Sequence, residues 1–458
     1  MWTYHPDLLA RPVPRYTSYP TAVDFTERVG AADYARALDG IASATSLSLY
    51  VHIPYCEQIC WYCGCNTGAA NRKQRLTDYL TALRSEIAAV ARRLGGRGRV
   101  QHIAFGGGSP NAIGPVEFVR LLDRLMTVFD CSRPEISIEI DPRNFDAEWA
   151  LVLASSNVSR VSLGVQTFAP HIQAAIGRVQ PLADIENAVM SLRMRGITAI
   201  NFDLMYGLPG QHIDDLDATL NETIRLAPSR IALFGYAHLP AMIPRQKRID
   251  ATGLPDQRER FDQAAFAYEK LTRAGYVAIG FDHFALPDDP LAMAAQAGRV
   301  NRNFQGFTHD DATTLLGFGA SAISILPDLI VQNEKRAGPY RALVGEGQLP
   351  AVRGVVLSDD DRMRSAIISD ILCQGRVEIA AAYAQPARKA LAEFERRDLV
   401  SWHGNTLSLR PHAEPYARLI AAAFDAFRPL LCRDQAGPAN MRQYSVAVVP
   451  VQRGRVPL

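Results

Sequence analysis

Short β-branched and aromatic runs alternate with segments of helical period along this chain, and that alternation restricts the fold more than any other feature. The runs read SLSLYVHI (46–53), VQHIAFGG (100–107), EISIEID (135–141), RVSLGVQ (160–166), AINFDLMYG (199–207) and RIALFGY (230–236). After the first run, Leu76, Leu80, Leu83, Ile87, Val90 and Leu94 repeat with the period of a helix. Spacings of about 25–50 residues suit β–α–β units, whose parallel strands lie under helices. The fold class is α/β with six or more parallel strands. Polar residues and glycines gather at the C-terminal strand ends, where barrels place their chemistry. A partial (β/α) barrel therefore fits better than an open doubly wound sheet.

The flanking regions differ in composition. Residues 1–45 are rich in Pro and Tyr (RPVPRYTSYPT) and read as an irregular N-terminal arm. The barrel domain with its extensions takes 46–350, and a composition shift at GEGQLPAVRG (345–354) marks a linker. A smaller, mainly helical C-terminal domain, 351–458, opens on the Ser/Asp-rich helix start SDDDRMRSAIISDIL. It continues as helix, strand, Gly404-Asn405 turn and strand, a winged-helix-like order. That helix mixes acids and bases and has no basic face, so a packing or lid role fits better than DNA reading. Net charge is +2, which asks for no nucleic acid or anionic membrane. No apolar run reaches the ~18 residues of a membrane span. MWTYHPDLLARP lacks a cationic segment followed by an apolar one, so the expectation is a cytoplasmic chain with reduced thiols.

The loop after the first run, HIPYCEQICWYCGCNT, holds four of the seven cysteines: Cys56, Cys60, Cys63 and Cys65. Structural zinc draws its ligands from two separated pairs, and no second Cys pair or His-x-x-x-His partner occurs elsewhere. Three thiolates at C-x-x-x-C-x-x-C spacing can instead hold three irons of a [4Fe–4S] cube and leave one open. Trp61 and Tyr62 in the loop can shield such a cluster from water. FGGGSP (105–110) closes the second run, but Asn111 stands where a dinucleotide fingerprint needs its third glycine. Glu139, Gln166 and Asp203 stand at or near the ends of the third, fourth and fifth runs, the positions of one polar mouth or of loop anchors.

The cysteine loop resembles the signature of radical S-adenosylmethionine (SAM) enzymes. PRYTSYPTA, LSLYVHIPYC, CWYCGCN, ISIEIDPR, SLGVQTF, NFDLMYGLPGQ, YAHLP, DHFALPDD, NRNFQGFT and LLGFGASAIS together resemble the oxygen-independent coproporphyrinogen III oxidases. The resemblance runs from about residue 12 to the C-terminal helices.

It implies that Cys56, Cys60 and Cys63 ligate the cluster while one SAM chelates the open iron. Tyr50, Gly107, Glu139 and Ile323 then contact that SAM. Tyr62, Gly108, Ser109, Gln166, Arg178, Asp203 and Ala237 contact a second one. Two positions depart from the family pattern: Tyr62, where phenylalanine is common, and Ser109-Pro110-Asn111, where Thr-Pro-Thr is usual. Cys65 is a non-ligand thiol beside the chemistry or a small buried residue, and Tyr50 is a catalytic candidate with it. The implied reaction converts two propionates of coproporphyrinogen III to vinyl groups, giving protoporphyrinogen IX by way of a SAM-derived 5′-deoxyadenosyl radical. A flavodoxin-type electron donor and a monomer are the further implications. Arg302, Arg428, Arg433 and Arg442 are candidates for the propionates, since guanidinium binds carboxylate bidentately. A haem-binding chaperone, a radical SAM enzyme of other substrate and a zinc-stabilised interaction module remain as alternatives.

Overall fold

The computed structural model describes residues 2–428. Seven neighbouring strands run parallel. In spatial order they are Thr314–Phe318, Ser46–Ile53, Arg99–Gly107, Glu135–Ile140, Arg160–Gln166, Ala199–Tyr206 and Arg230–Gly235. All six runs read from the sequence are strands, with ends within one residue of those expected. Antiparallel strands extend the sheet at both sides. Ile323–Leu326, Leu329–Asn333 and Ala351–Val356 lie at one edge, His283–Ala285 and Val277–Ile279 at the other. The two edges do not pair, so the barrel is partial.

Strand patterning explains where the cavity lies. In Glu135–Ile140 the buried residues are Ile136, Ile138 and Ile140, and in Ala199–Tyr206 they are Ile200, Phe202 and Leu204. The alternate positions, Glu135, Ser137, Glu139, Asn201 and Asp203, line a cavity of about 160 Å³ on the opposite sheet face. Period-two alternation thus sends aliphatic groups to the helices and polar groups inward. The lumen stays polar where many barrels fill it with aliphatic layers.

The helix Lys73–Leu94 covers the first strand with Leu80, Leu83, Ile87, Val90 and Leu94, each no more than 2% exposed. Each such side chain contributes about 1.5–3 kcal/mol. Gly95, at φ 58°, ends the helix, and its N–H bonds Ala91 O at 3.0 Å. A left-handed terminal residue of this kind favours glycine.

The helix Asp359–Gln374 starts at Ser358, which shares a capping box with Asp361. Then Ala381–Arg396, Val400–His403 and Thr406–Leu409 follow the expected helix–strand–turn–strand order, and Arg376–Glu378 adds a third strand. The 345–354 stretch runs into the edge strand Ala351–Val356, so the large sheet continues to Val356. The N-terminal arm contains a nine-residue helix, Ala31–Asp39, which buries Tyr34 and Leu38. Its earlier residues Leu8, Tyr16 and Tyr19 share a second core with Ile367, Leu391 and Phe424. Tyr16 Oη donates to Asp425 Oδ2 at 3.0 Å, and Arg428 pairs with Asp24 at 2.5 Å. Among the described residues no helix is long and apolar enough to cross a membrane.

Candidate active site

A two-residue parallel pairing of Tyr55–Cys56 with Gly68–Ala69 pinches residues 57–67 into a loop over the end of the first strand. All four loop cysteines are free thiols; Cys56 and Cys60 are buried, Cys63 half-buried and Cys65 exposed. Trp61 and Tyr62 anchor the loop to the barrel rim. The Trp61 N–H bonds Ile176 O at 3.0 Å, and Arg248 lies 4.4 Å from the centre of its ring. A Cβ on Gly177 would come 2.6 Å from that ring, so only glycine fits there. Gln246, which is buried, donates to Tyr62 O at 2.9 Å and to Ala237 O at 3.1 Å.

Two guanidinium groups converge on the Cys60 sulfur: Arg178 Nη1 at 3.2 Å and Arg143 Nη2 at 3.5 Å. Both are held by Asp141, at 3.3 Å from Arg178 and 2.5 Å from Arg143. Burial raises the Asp141 carboxyl, but the Arg143 hydrogen bond and the two cations bring it below its ordinary value. Asp141 is set in turn by Asn111, whose Oδ1 accepts from Asp141 N at 3.1 Å and from Ser109 Oγ at 2.5 Å. The Ser-Pro-Asn departure therefore has a structural use: the serine hydroxyl is bonded to the asparagine, and the asparagine organises the Arg-bearing turn. Burial pushes the Cys56 thiol up to about 11. Hydrogen bonding from Cys65, whose N–H lies 3.4 Å from Cys63 Sγ, lowers the Cys63 thiol.

The glycine turn lies beside this loop. A Cβ on Gly107 would meet the His52 ring at 2.6 Å, and one on Gly108 would meet Tyr55 O at 2.6 Å. Gly107 also sits at φ 115°, a backbone that favours glycine. His52 Nε2 faces Asn66 O at 3.2 Å and so carries the proton; Nδ1 accepts from Tyr50 Oη at 3.0 Å. Burial holds the His52 imidazole down at about 4, hence neutral. Tyr50 packs on Phe304 with ring centres 4.3 Å apart. It pairs across the sheet with Gly317, whose own neighbour is Ile323, so Tyr50 and Ile323 share one end of the barrel.

Glu139 Oε2 accepts from Gly107 N at 3.2 Å. Burial, and then the nearby Asp203 carboxylate, raise Glu139 to about 7. Asp203 accepts from Ser162 Oγ at 2.8 Å and Asn201 Nδ2 at 2.9 Å, and burial raises it too. Gln166 occupies a bulge at φ 65°, a costly backbone for a side chain of its kind. Gly164 leaves room there: a Cβ would fall 2.9 Å from Arg178 Nη2 and 3.2 Å from Gln166 Nε2.

The structure thus brings the four cysteines, Tyr50, Gly107, Gly108, Ser109, Glu139, Gln166, Arg178, Asp203 and Ile323 to one barrel end, with Tyr62 and Ala237 tied to its rim by Gln246. Arg428 is elsewhere: it pairs with Asp24 and Asp425 and fastens the arm, which corrects its reading as a substrate group. Arg433 and Arg442 lie outside the described residues. Sequence reasoning missed His52, Asp141, Arg143 and Gln246. The first three stood inside quoted motifs (HIPYC, EIDPR), while Gln246 carried no signal.

The residues present fit an iron–sulfur cluster. Thiols, cations at the Cys60 sulfur and a close-approach glycine turn supply ligands, charge balance and room for a bound group. Among the described residues no His, Cys, Asp or Glu side chains converge on a single-ion position. Thiolates that each take a different iron of a cluster need not converge.

Comparison with known proteins places these features. The Radical SAM superfamily profile matches residues 50–223, the span from Tyr50 through the cysteine loop to beyond Asp203. The oxygen-independent coproporphyrinogen III oxidase of Bradyrhizobium diazoefficiens is 42% identical over 90% of this chain and 94% of its own. That of Pseudomonas aeruginosa is 38% identical over 92% and 95%. The structure of coproporphyrinogen III oxidase from Escherichia coli, described as a radical SAM enzyme, superposes with a TM-score of 0.88 at 34% identity, covering 93% of this chain and 99% of that one. The chain belongs to the oxygen-independent coproporphyrinogen III oxidase family.

Proposed function

We propose that the protein converts two propionate side chains of coproporphyrinogen III to vinyl groups without oxygen, giving protoporphyrinogen IX in haem biosynthesis. Membership of the radical SAM superfamily brings a [4Fe–4S] cluster and SAM as its cofactors. When bound, they would supply a 5′-deoxyadenosyl radical that removes a hydrogen atom from the propionate β-carbon. Loss of carbon dioxide, with one electron passed to an external one-electron acceptor, then leaves the vinyl group. The observation that carries this reading is the meeting of the cysteine loop, the glycine turn and the Glu139–Asp203 pair in a chain that matches such oxidases over nine-tenths of its length.

The chain's own groups have distinct tasks. Cys56, Cys60 and Cys63 would hold the cluster, with Arg178 and Arg143 balancing charge at the Cys60 sulfur. Tyr50, Gly107, Glu139 and Ile323 would hold the SAM on the cluster. A second SAM would use Tyr62, Gly108, Ser109, Gln166, Arg178, Asp203 and Ala237. The Tyr50–His52 hydrogen bond fixes the phenol beside that site, and burial keeps the imidazole neutral. Cys65, exposed next to Cys63, is the thiol available to the substrate side. A monomer served by a flavodoxin-type donor in the cytoplasm completes the proposal.

The test is anaerobic reconstitution with iron, sulfide, SAM, reduced flavodoxin and coproporphyrinogen III, followed by mass spectrometry. The expected products have lost one and then two carboxyl groups. A loaded protein that cleaves SAM and leaves coproporphyrinogen III intact would overturn the reading.

A further inference from the structure

Segments far apart in the chain bring three guanidinium groups to one place behind the cavity wall. Arg302 stands on the short strand Asn301–Asn303, Arg15 in the N-terminal arm and Arg418 on the helix Ala417–Ala421. Arg302 Nη1 lies 3.9 Å from Asp282 Oδ1, and Arg15 Nη2 lies 3.4 Å from Asp282 Oδ2. The Arg418 guanidinium is 5.4 Å from the centre of the Phe281 ring, and Arg302 is 4.9 Å from the same centre. Asp282 is the acid among them, and its Oδ1 is already bonded to His283 Nδ1 at 2.7 Å.

Arg302 is the group this arrangement leaves short. Its side chain is 2% exposed, yet none of its three guanidinium nitrogens has a hydrogen-bond partner. The chain treats its other buried arginines differently. Arg160 and Arg230 share Asp289, Arg178 has Asp141, and Arg428 has Asp24 and Asp425. Phe281 and Phe307 give Arg302 ring faces, at 4.9 and 4.5 Å, but ring faces do not satisfy a fork of N–H donors. Burial, with Arg15 nearby, lowers the basicity of Arg302 and of Arg418, the direction expected where cations outnumber anions. A buried guanidinium without hydrogen bonds is costly, and an anionic ligand that accepts them removes that cost.

One aromatic ring, Phe307, belongs both to the cavity lining and to the surroundings of Arg302. Phe307 and His283 line the 160 Å³ cavity together with Glu139 and Asp203, and their rings lie 5.4 Å apart. Arg302 lies 4.5 Å from the centre of the Phe307 ring and is not itself in the lining, so an acid reaching it displaces that ring. A cavity of that size admits a side arm and not a four-ring macrocycle.

We propose that Arg302, flanked by Arg15 and Arg418, is a carboxylate-binding subsite that takes one propionate arm of the tetrapyrrole. The inference rests on the substrate reading of the preceding subsection and adds the residues that recognise the acid. Arg302 acts in binding and orientation, and its planar fork matches a carboxylate in the bidentate way that lysine cannot.

The test compares the cluster-loaded protein with Arg302→Met and Arg302→Lys. Equilibrium binding is read with coproporphyrin III, the stable oxidised macrocycle carrying the same four acids, and with its tetramethyl ester. Arg302→Met is expected to weaken binding of the tetra-acid about tenfold or more, to narrow the preference for acid over ester, and to raise KM more than it lowers kcat. Arg302→Lys should recover part of the affinity. Because the buried guanidinium makes no hydrogen bond and its Asp282 partner stands 3.9 Å away, Arg302→Met should not lower the melting temperature. Parent-like affinity and KM in Arg302→Met, with a fallen melting temperature, would show a structural arginine and overturn the subsite while the function stands. If the parent itself fails to convert coproporphyrinogen III, the functional reading fails. The subsite is then decided by sodium propionate, which must raise the melting temperature of the parent and not of Arg302→Met.

Discussion

Arg178 holds a guanidinium nitrogen 3.2 Å from the sulfur of Cys60 while its other terminal nitrogen donates to Gly164 O at 2.6 Å. One side chain thereby connects the cysteine loop to the end of the strand Arg160–Gln166. The connection requires Gly164, since a Cβ there would collide with the guanidinium. It sets a guanidinium against the Cys60 sulfur, where the negative charge of a cluster ligand would lie.

Serine at Cys56, Cys60 or Cys63 should abolish most of the bound iron and the charge-transfer absorbance, because each thiolate serves one iron. Iron analysis and an optical spectrum of anaerobically reconstituted protein check this. Full iron retention in all three variants would refute the ligand assignment.

Cys65→Ser should retain the parent's iron and spectrum and lose most product formation. Cys65 is exposed, and serine keeps the backbone N–H that lies 3.4 Å from the Cys63 sulfur. Lost iron would make Cys65 a ligand; undiminished turnover would make it a bystander.

Glu139 and Asp203 should act on SAM. Glu139→Ala and Asp203→Ala are expected to keep iron and melting temperature while weakening SAM binding. With Glu139 raised to about 7, its carboxylate fills as pH rises through neutrality, so SAM affinity should increase from pH 6 to 8. Glu139→Gln should flatten that rise, measured by equilibrium dialysis. Unfolding of both alanine variants would mark the two acids as structural anchors.

Glu86 should set a pH dependence of stability. It is 1% exposed and accepts from Gly319 N at 2.8 Å, Asn333 Nδ2 at 2.7 Å and Tyr340 Oη at 2.5 Å. Burial still raises it to about 7. A folded-state value above the unfolded one means the native state binds more protons, so stability falls as pH climbs from about 4.5 through 7. The fall approaches about 3 kcal/mol. Denaturant melts at pH 5 and 7.5 should show it, and Glu86→Gln should reduce it.

Much of the barrel was legible in the sequence because its strands alternate. In EISIEI and AINFDLMY a period of two separates the aliphatic face from the polar one. The helix at Lys73 announced itself through Leu80, Leu83 and Ile87. The Ala31–Asp39 helix was hidden because only Tyr34 and Leu38 of its nine residues are buried. At the site, cysteines and strand-end acids could be read from spacing. The partners that position them could not: Gln246 reaches Tyr62 across 184 residues, and Arg178 reaches Cys60 across 118. Arg428, read from the sequence as a candidate for the propionates, is an internal clamp because Asp24 lies 404 residues away in sequence and beside it in space.

That clamp bears on the order in which the molecule is made. Tyr16 and its acceptor Asp425 are 409 residues apart, so at about 5–20 residues per second the arm waits roughly 20–80 s on the ribosome for its partner. Through that interval Leu8, Tyr16 and Tyr19 lack Ile367, Leu391 and Phe424, the later-made part of the core that they share. Asp282, the acid beside Arg15, is made well before Asp425, so the arm meets its barrel contacts before its C-terminal ones.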